Sequence, residues 1–209
     1  MKRLVLIVTI IIATLPLSAQ VIKLDVGTTF SSMQDDTPMH NFSNTLVGSS
    51  VAFGVDWLEK EWFYLSSEVG YITTGGAERI EIMDSPGLPT GEADWQLMRH
   101  NIHVNTTFRA KLSIKRFHAY IGVGPKADIP VQIELTDTYN NATDSNLPFL
   151  KNEVMFGIKA EVGVAYNFND VRVGLNFAYL PDFTRQASYL NQTTRNDIFK
   201  LSISVGYIL

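Results

Sequence analysis

The chain has 209 residues and no Cys, so it can form no structural disulfide. Its length fits a single domain, and its formal net charge of −4 argues against nucleic acid as a partner. Charged residues make up 18% of the chain, below the roughly one quarter that is usual for soluble domains. The hydrophobic residues are dispersed in alternating runs, which is typical of strands with two unlike faces.

The N-terminal segment Met1–Ala19 has the features of a secretory signal peptide. Two basic residues precede an apolar stretch, and Leu17-Ser18-Ala19 is a suitable cleavage site before Gln20. The apolar stretch is shorter than the roughly 20 residues that a spanning helix needs, so a transmembrane anchor is the less favoured alternative. We therefore expect an exported protein whose mature domain is 20–209, with the net charge lowered by two to −6.

Eight segments alternate between apolar and polar residues, which predicts eight strands. The last segment shows the alternation most clearly, with Phe199, Leu201 and Ile203 on one face and Lys200 and Ser202 on the other. In chain order, the predicted strands are Val21–Phe30, Leu46–Asp56, Trp62–Thr73, Trp95–Leu112, Phe117–Ile129, Lys151–Tyr166, Val171–Leu180 and Asp197–Leu209.

The connections between these strands alternate between long and short. Long polar loops are predicted at Ser31–Thr45, Thr74–Asp94, Pro130–Leu150 and Pro181–Asn196, and short turns at Leu58–Glu61, Ser113–Arg116 and Asn167–Asp170. This order is typical of outer-membrane barrels, which have long extracellular loops and short periplasmic turns. Aromatic residues beside the short turns predict a girdle at the periplasmic interface: Trp57, Trp62, Phe117, Tyr166 and Phe168. The sequence thus predicts an all-β, eight-stranded antiparallel up-and-down transmembrane β-barrel.

Alternation by itself leaves open which face points outward, and a soluble barrel with an apolar interior is the alternative. Two features favour the membrane orientation. The polar face is rich in Gly, Ala, Ser and Thr, which suits the narrow interior of eight strands. An exterior facing water is expected to carry more Lys and Glu.

If the polar face is inward, it carries charges of both signs, and buried charges must be paired or solvated. We expect these residues to form a structural charge network that fills the barrel interior, with a polar channel as the alternative. The predicted network is Lys23, Asp25, Glu68, Arg109, Lys159, Glu161, Arg172 and Lys200.

Four of the strand sequences resemble those of the PorT-like outer-membrane β-barrel family of the Bacteroidetes. They are Ile22–Gly27, Trp62–Tyr71, Ala119–Pro125 and Phe156–Gly163. The resemblance implies an integral outer-membrane protein, and some relatives are accessory components of secretion or gliding machinery. Two departures are the absence of Pro in Leu97–Ile102 and the final Leu209, where an aromatic residue is usual for recognition by the barrel-assembly machinery. Tyr207 is the nearest aromatic residue that can share this role.

We predict no catalytic, cofactor-binding or metal-binding site. His100 and His103 are three residues apart, which on a strand places them on opposite faces and disfavours a shared metal. A lipid-modifying enzyme remains an alternative, with Asp84, Ser85, Glu92 and His100 meeting near the outer rim.

The favoured function is that of a non-enzymatic outer-membrane protein. Its four long extracellular loops are expected to contact a partner or to have an accessory role in secretion or surface machinery. A conduit or carrier for a small or apolar ligand is the first alternative. The expected partners are outer-membrane lipid, the barrel-assembly machinery through the C-terminal strand, and an envelope or secretion protein.

Overall fold

The computed structural model describes residues 19–35, 42–83, 89–137, 142–144, 153–184, 186–187 and 193–209. The predicted signal peptide lies outside the described residues, except for Ala19, which is the first residue of the first strand. No helix within the described part has both the length and the apolar character that crossing a bilayer requires.

The described residues form one antiparallel sheet of ten strands. The strands are β1 (Ala19–Asp35), β2 (Leu46–Trp57), β3 (Phe63–Met83), β4 (Pro89–Ile114), β5 (Phe117–Asp137), β6 (Ala142–Asp144), β7 (Met155–Phe168), β8 (Val171–Tyr179), β9 (Gln186–Ala187) and β10 (Thr193–Ile208). The all-β, antiparallel prediction is therefore confirmed. The eight predicted strands correspond to the eight long ones, and the short β6 and β9 are additional.

The sheet closes on itself because its first and last strands pair. Each long strand pairs with the next long strand along the chain. The first and last, β1 and β10, pair from Val21 opposite Ile208 to Asp35 opposite Thr194. The short β6 and β9 pair with β5 and β10 beside this ring. Closure leaves neither β1 nor β10 with an unpaired edge, so the long strands form a barrel.

The apolar face of the barrel points outward and the polar face points inward. Phe53 and Ile203 are 53% and 57% exposed, whereas Asp25 and Lys200 are each 2% exposed. The same alternation runs along β8, where every second residue is exposed. The soluble barrel with an apolar interior requires the opposite arrangement, so the structure contradicts that alternative.

β3, β4 and β5 extend well beyond their predicted ends, and the predicted loop Thr74–Asp94 is wrong at 74–83 and 89–94, which are strand. β3 and β4 continue as a paired hairpin from Thr74 opposite Arg99 to Met83 opposite Pro89. β5 extends to Asp137, so the predicted loop beginning at Pro130 starts too early. The polar and Gly-rich composition predicted a loop, but cross-strand hydrogen bonds satisfy the backbone of these residues.

The other ends also shift. β1 extends through Ser31 to Asp35, where a loop was predicted, and β10 begins at Thr193 rather than Asp197. β7 begins at Met155 rather than Lys151, and Lys151 lies outside the described residues. The ends of β1, β3, β5 and β10 have a polar composition that is typical of loops. They form strand because they pair with distant segments, and local composition does not reveal such pairing.

Three short connections define one end of the barrel, here called the short-turn end. They comprise 58–62, 115–116 and 169–170. Leu58, Lys115 and Asn169 adopt positive φ values of 52°, 58° and 51°, as tight reversals often require. The opposite end, here called the long-loop end, carries the extended β3–β4 hairpin.

Candidate functional site

The charged interior is the part of the barrel where functional chemistry is concentrated. All eight residues of the predicted network are buried. They are 0 to 8% exposed, and they come from β1, β3, β4, β7, β8 and β10. Because side chains on one strand face repeat every second residue, each strand delivers its charges to the interior without a special turn.

Glu68 on β3 lies at the centre of the network and binds three cations. Its carboxylate accepts from Lys23 Nζ at 2.8 Å, Lys159 Nζ at 2.6 Å and Arg109 Nη2 at 3.1 Å. Asn105 Nδ2 donates to the same carboxylate at 3.2 Å. Four donors around one carboxylate compensate for its loss of hydration and tie β3 to β1, β4 and β7.

Arg109 on β4 binds Glu161 on β7 through one edge of its guanidinium. Nε donates to Oε1 at 2.5 Å and Nη2 donates to Oε2 at 3.0 Å, which is the bidentate geometry of a strong Arg–carboxylate pair. Asn176 Nδ2 donates to the same carboxylate at 2.7 Å. The guanidinium also lies 4.7 Å from the centre of the Tyr120 ring, within range of a cation–π contact.

Glycines on the inner face make room for these large side chains. A Cβ added at Gly163 would lie 2.4 Å from the Tyr120 ring, and one added at Gly122 would lie 3.0 Å from both Arg109 and Glu161. An eight-stranded barrel has space for only a few large interior side chains, so their neighbours must be small.

A second set of charges closes the short-turn end. Asp56 is bound by Lys23 at 3.2 Å and by Arg172 Nη1 at 3.4 Å, and Arg172 Nη2 also reaches Glu59 at 3.2 Å. Lys111 donates to the same Glu59 carboxylate. Partial burial raises the pKa of Glu59, but the charges of Arg172 and Lys111 outweigh it and hold that pKa below its ordinary value.

The remaining two predicted residues form a separate pair. Lys200 Nζ lies 2.6 Å from Asp25, and Ser202 Oγ donates to the same carboxylate at 3.0 Å. This pair connects β1 and β10, the two strands whose pairing closes the barrel.

Sequence reasoning missed a further ionic group, which lies on β4, β5 and the segment after β8. His103 Nδ1 lies 2.5 Å from Asp128, and Lys126 Nζ lies 2.6 Å from Asp128 and 2.5 Å from Asp182. Lys126 and Asp128 continue the polar alternation of β5 past Gly124, so that signal was present in the sequence. Asp182 follows β8 outside any alternating run and had no such signal.

The interior is packed at the level of the central network. A cavity of about 10 Å³ lies among Lys23, Asp56, Tyr64, Arg109 and Arg172. This volume holds about one water molecule. The side chains leave no wide passage at this level.

The residues proposed for a catalytic rim do not all come together. His100 faces outward, where its Nδ1 hydrogen-bonds to the Tyr71 hydroxyl and its Nε2 lies 3.5 Å from Glu134. Glu92 instead pairs with Arg79 at 3.4 Å. It lies eight residues before His100 on β4, which is roughly 26 Å at the rise of a strand. Asp84 and Ser85 lie outside the described residues.

The two histidines lie on opposite faces of β4, since His103 points into the barrel and His100 points out. Within the described ranges, no group of three or more His, Cys, Asp or Glu side chains is placed to hold a metal ion.

No protein-family model matches the chain, and no curated protein matches it. Among solved structures, Neisserial surface protein A is 11% identical with a TM-score of 0.50, covering 90% of this chain and 97% of that chain. The outer membrane protein OprG from Pseudomonas aeruginosa is 11% identical with a TM-score of 0.49, covering 92% of this chain and 98% of that chain. Outer Membrane Protein W of E. coli is 15% identical with a TM-score of 0.48, covering 92% and 99%.

At such low identity, the likeness to Neisserial surface protein A shows the fold alone, an antiparallel β-barrel. Membership of the PorT-like family stays a prediction, because no family model matches the chain.

Proposed function

We propose that this protein is an exported, integral outer-membrane protein whose eight long strands cross the bilayer. The observation that carries the proposal is the sidedness of the closed sheet: apolar side chains cover its outside and ion pairs fill its inside. Contiguous apolar surface of this extent would be costly in water and marks contact with an apolar medium. The removal of Met1–Ala19 as a signal peptide is part of the proposal.

Aromatic residues at the short-turn end support a position for the periplasmic interface. Trp62, Phe117 and Phe168 are 61%, 43% and 56% exposed beside the three short turns, and Tyr166 packs against Phe168 with ring centres 4.5 Å apart. Aromatic side chains are enriched at the level of the lipid headgroups, where one part of the ring contacts water and the other contacts apolar chains.

The interior network of Lys23, Asp25, Glu68, Arg109, Lys159, Glu161, Arg172 and Lys200 is proposed to have a structural role. Each of its carboxylates is bound by at least one cation. Such a network fixes the relative positions of strands on opposite sides of the barrel. The chain is therefore proposed to be non-enzymatic, with no reacting group among these residues.

The long-loop end is the part proposed to contact a partner. The β3–β4 hairpin carries Arg79, which pairs with Asp94 at 2.9 Å and with Glu92, and these side chains are 46 to 63% exposed. Exposed ion pairs suit water rather than lipid, so this hairpin extends beyond the apolar belt. Binding residues are often displayed on such extensions of a rigid scaffold. An envelope or secretion protein is the proposed partner, in an accessory role of the PorT-like kind.

The C-terminal strand is proposed to carry the signal for the barrel-assembly machinery. Tyr207 on β10 is 56% exposed on the outer face, and Leu209 N donates to Gln20 O at 3.0 Å beside it. The outward aromatic ring near the end of the chain is the feature that supports this role.

The test is membrane fractionation combined with heat-modifiable migration on a gel. We expect the protein in the outer-membrane fraction after alkaline washing, with the unheated sample migrating differently from the boiled one. A soluble periplasmic protein processed by the same signal serves as the control. Recovery of the chain in the soluble periplasmic fraction would contradict the proposal.

The alternatives have less support. A conduit needs an open path, and the central network leaves a cavity of only about 10 Å³. A lipid-modifying site needs Glu92 near His100, but the two residues are eight positions apart on the extended strand β4 and bind different partners. Planar-bilayer conductance tests the first alternative, and lipid profiles with and without the protein test the second.

A further inference from the structure

Among the arginines that the structure describes as buried, one is bonded differently from the other two, Arg109 and Arg172. Arg99 on β4 is 1% exposed, and Nη1 donates to the Met155 sulfur at 3.7 Å. Among the described residues, neither Nε nor Nη2 of Arg99 has a hydrogen-bond partner. A thioether is a weak acceptor, so this guanidinium retains two donor nitrogens that no described protein group satisfies.

The two unsatisfied donors are the pair that a bidentate oxyanion takes. Nε–H and Nη2–H lie along one edge of the guanidinium and point the same way, matching two oxygens of a carboxylate or phosphate. The same barrel shows this edge in use, because Arg109 binds Glu161 through Nε and Nη2 at 2.5 and 3.0 Å. Within the described ranges, a carboxylate binds this edge of Arg109, and none hydrogen-bonds to the corresponding edge of Arg99.

The surroundings of Arg99 add further unsatisfied polar atoms. Asn196 Nδ2 also donates to the Met155 sulfur at 3.7 Å, which places Asn196 on the same side of the interior as Arg99. Asn196 Oδ1 and Asn101 Oδ1 have no partner among the described residues. Asp182 attracts Arg99 electrostatically; its Oδ1 is bound by Lys126 at 2.5 Å, and its Oδ2 has no partner among the described residues.

Arg99 lies between two different environments along the barrel. On the side toward the short turns are the polar residues Asn101 and His103 of the same inner face. On the side toward the long-loop end is an apolar cluster of Met33, Leu97 and Ile133, against which Phe42 and Leu135 pack. A ligand with an anionic group and an apolar remainder would match both environments.

We propose that Arg99 anchors an oxyanion-binding site in the outer half of the barrel, which takes a carboxylate or phosphate group through Nε and Nη2. The site is independent of the partner proposed for the loops, and it can be tested on the refolded full barrel in detergent micelles. It therefore stands or falls separately from the membrane location.

The test is NMR titration of the Arg99 Nε–H signal with sodium acetate, sodium decanoate and inorganic phosphate, with sodium chloride at matched ionic strength as the reference. We expect a saturable shift with at least one oxyanion and none with chloride. Tighter binding of decanoate than of acetate would assign the apolar cluster to the hydrocarbon chain. Tighter binding of phosphate would assign the site to a phosphate headgroup.

Variants separate the bidentate edge from simple positive charge. R99K keeps the charge but loses the paired donors, and we expect it to bind roughly tenfold more weakly or worse. R99Q should lose binding, whereas R79Q, an exposed arginine on the neighbouring strand, should bind as the wild type does. Heat-modifiable migration checks that each variant is folded.

Three results would overturn the proposal. One is the absence of any saturable shift of the wild-type signal, which would mean that water alone satisfies Arg99. Another is an equal shift with chloride. The third is unchanged binding in folded R99Q. The wild-type titration needs no variant, so failure of R99Q to fold would leave a decisive result.

Discussion

Replacing Glu68 by Gln should strongly destabilise the barrel. The substitution keeps the shape of the side chain but removes the negative charge that binds Lys23 at 2.8 Å, Lys159 at 2.6 Å and Arg109 at 3.1 Å. The three carboxylates nearest these cations are Asp56, Glu68 and Glu161, so three positive charges would then face two negative ones. All of these groups are buried, and none can regain full hydration.

The expected loss can be estimated from the structure. Breaking a buried ion pair by removing one partner costs about 3–5 kcal/mol, because the other charge stays buried and unpaired. Lys159 keeps Glu161 at 3.0 Å and Lys23 keeps Asp56 at 3.2 Å, so each cation retains one partner. We therefore expect the free energy of unfolding to fall by about 3 kcal/mol, at the lower end of that range.

The assay is urea unfolding of the protein refolded into lipid vesicles, followed by tryptophan fluorescence. E92Q is the matched control, because Glu92 forms an exposed pair with Arg79 at 3.4 Å and its removal should leave the transition unchanged. Adding K159M to E68Q removes the excess positive charge and should recover part of the lost stability. A loss below about 1 kcal/mol in E68Q, or no recovery in the double variant, would refute the reasoning about the network.

Two further outcomes follow from the lipid-facing wall and the short-turn end. Ile203 is 57% exposed on the outer wall of β10, six residues before Leu209 and therefore deeper in the proposed bilayer. I203R should lower the free energy of unfolding in vesicles by about 2–4 kcal/mol, whereas L209R near the interface should cost about 0–1 kcal/mol. Equal losses at the two positions would contradict a bilayer around this wall. Glu59 has a pKa below its ordinary value of 4.5, so its contribution to stability is complete above about pH 4.5 and is lost as the pH falls through the lowered pKa. E59Q should therefore be less stable than the wild type at pH 7 and approach it at low pH, and a constant difference across the pH series would count against the pairing with Arg172 and Lys111.

The local pattern of the sequence predicted the phase of every long strand. A strand exposes alternate residues to opposite sides, so Phe199, Leu201 and Ile203 share one environment wherever β10 is placed. For the same reason Lys23, Glu68 and Arg109 could be assigned to one common face before any pairing was known. The short turns were predictable because each lies between two clean alternating runs.

Strand ends and ionic partners depended on the tertiary structure. The β3–β4 hairpin continues to Met83 because each residue finds a partner on the facing strand, and that partner is invisible in local composition. Glu68 meets Lys159 across 91 positions of sequence, so their contact follows from closure of the barrel and from its register.

For Arg99, the sequence determined the direction of the side chain, and the tertiary structure determined its surroundings. Its place on the inner face of β4 follows from alternation with Asn101 and His103, and that much was contained in the sequence. That no described carboxylate hydrogen-bonds to it depends on which side chains the other strands bring to the same level of the barrel. A period-two pattern determines the side to which a residue points, whereas closure and register determine what it meets there.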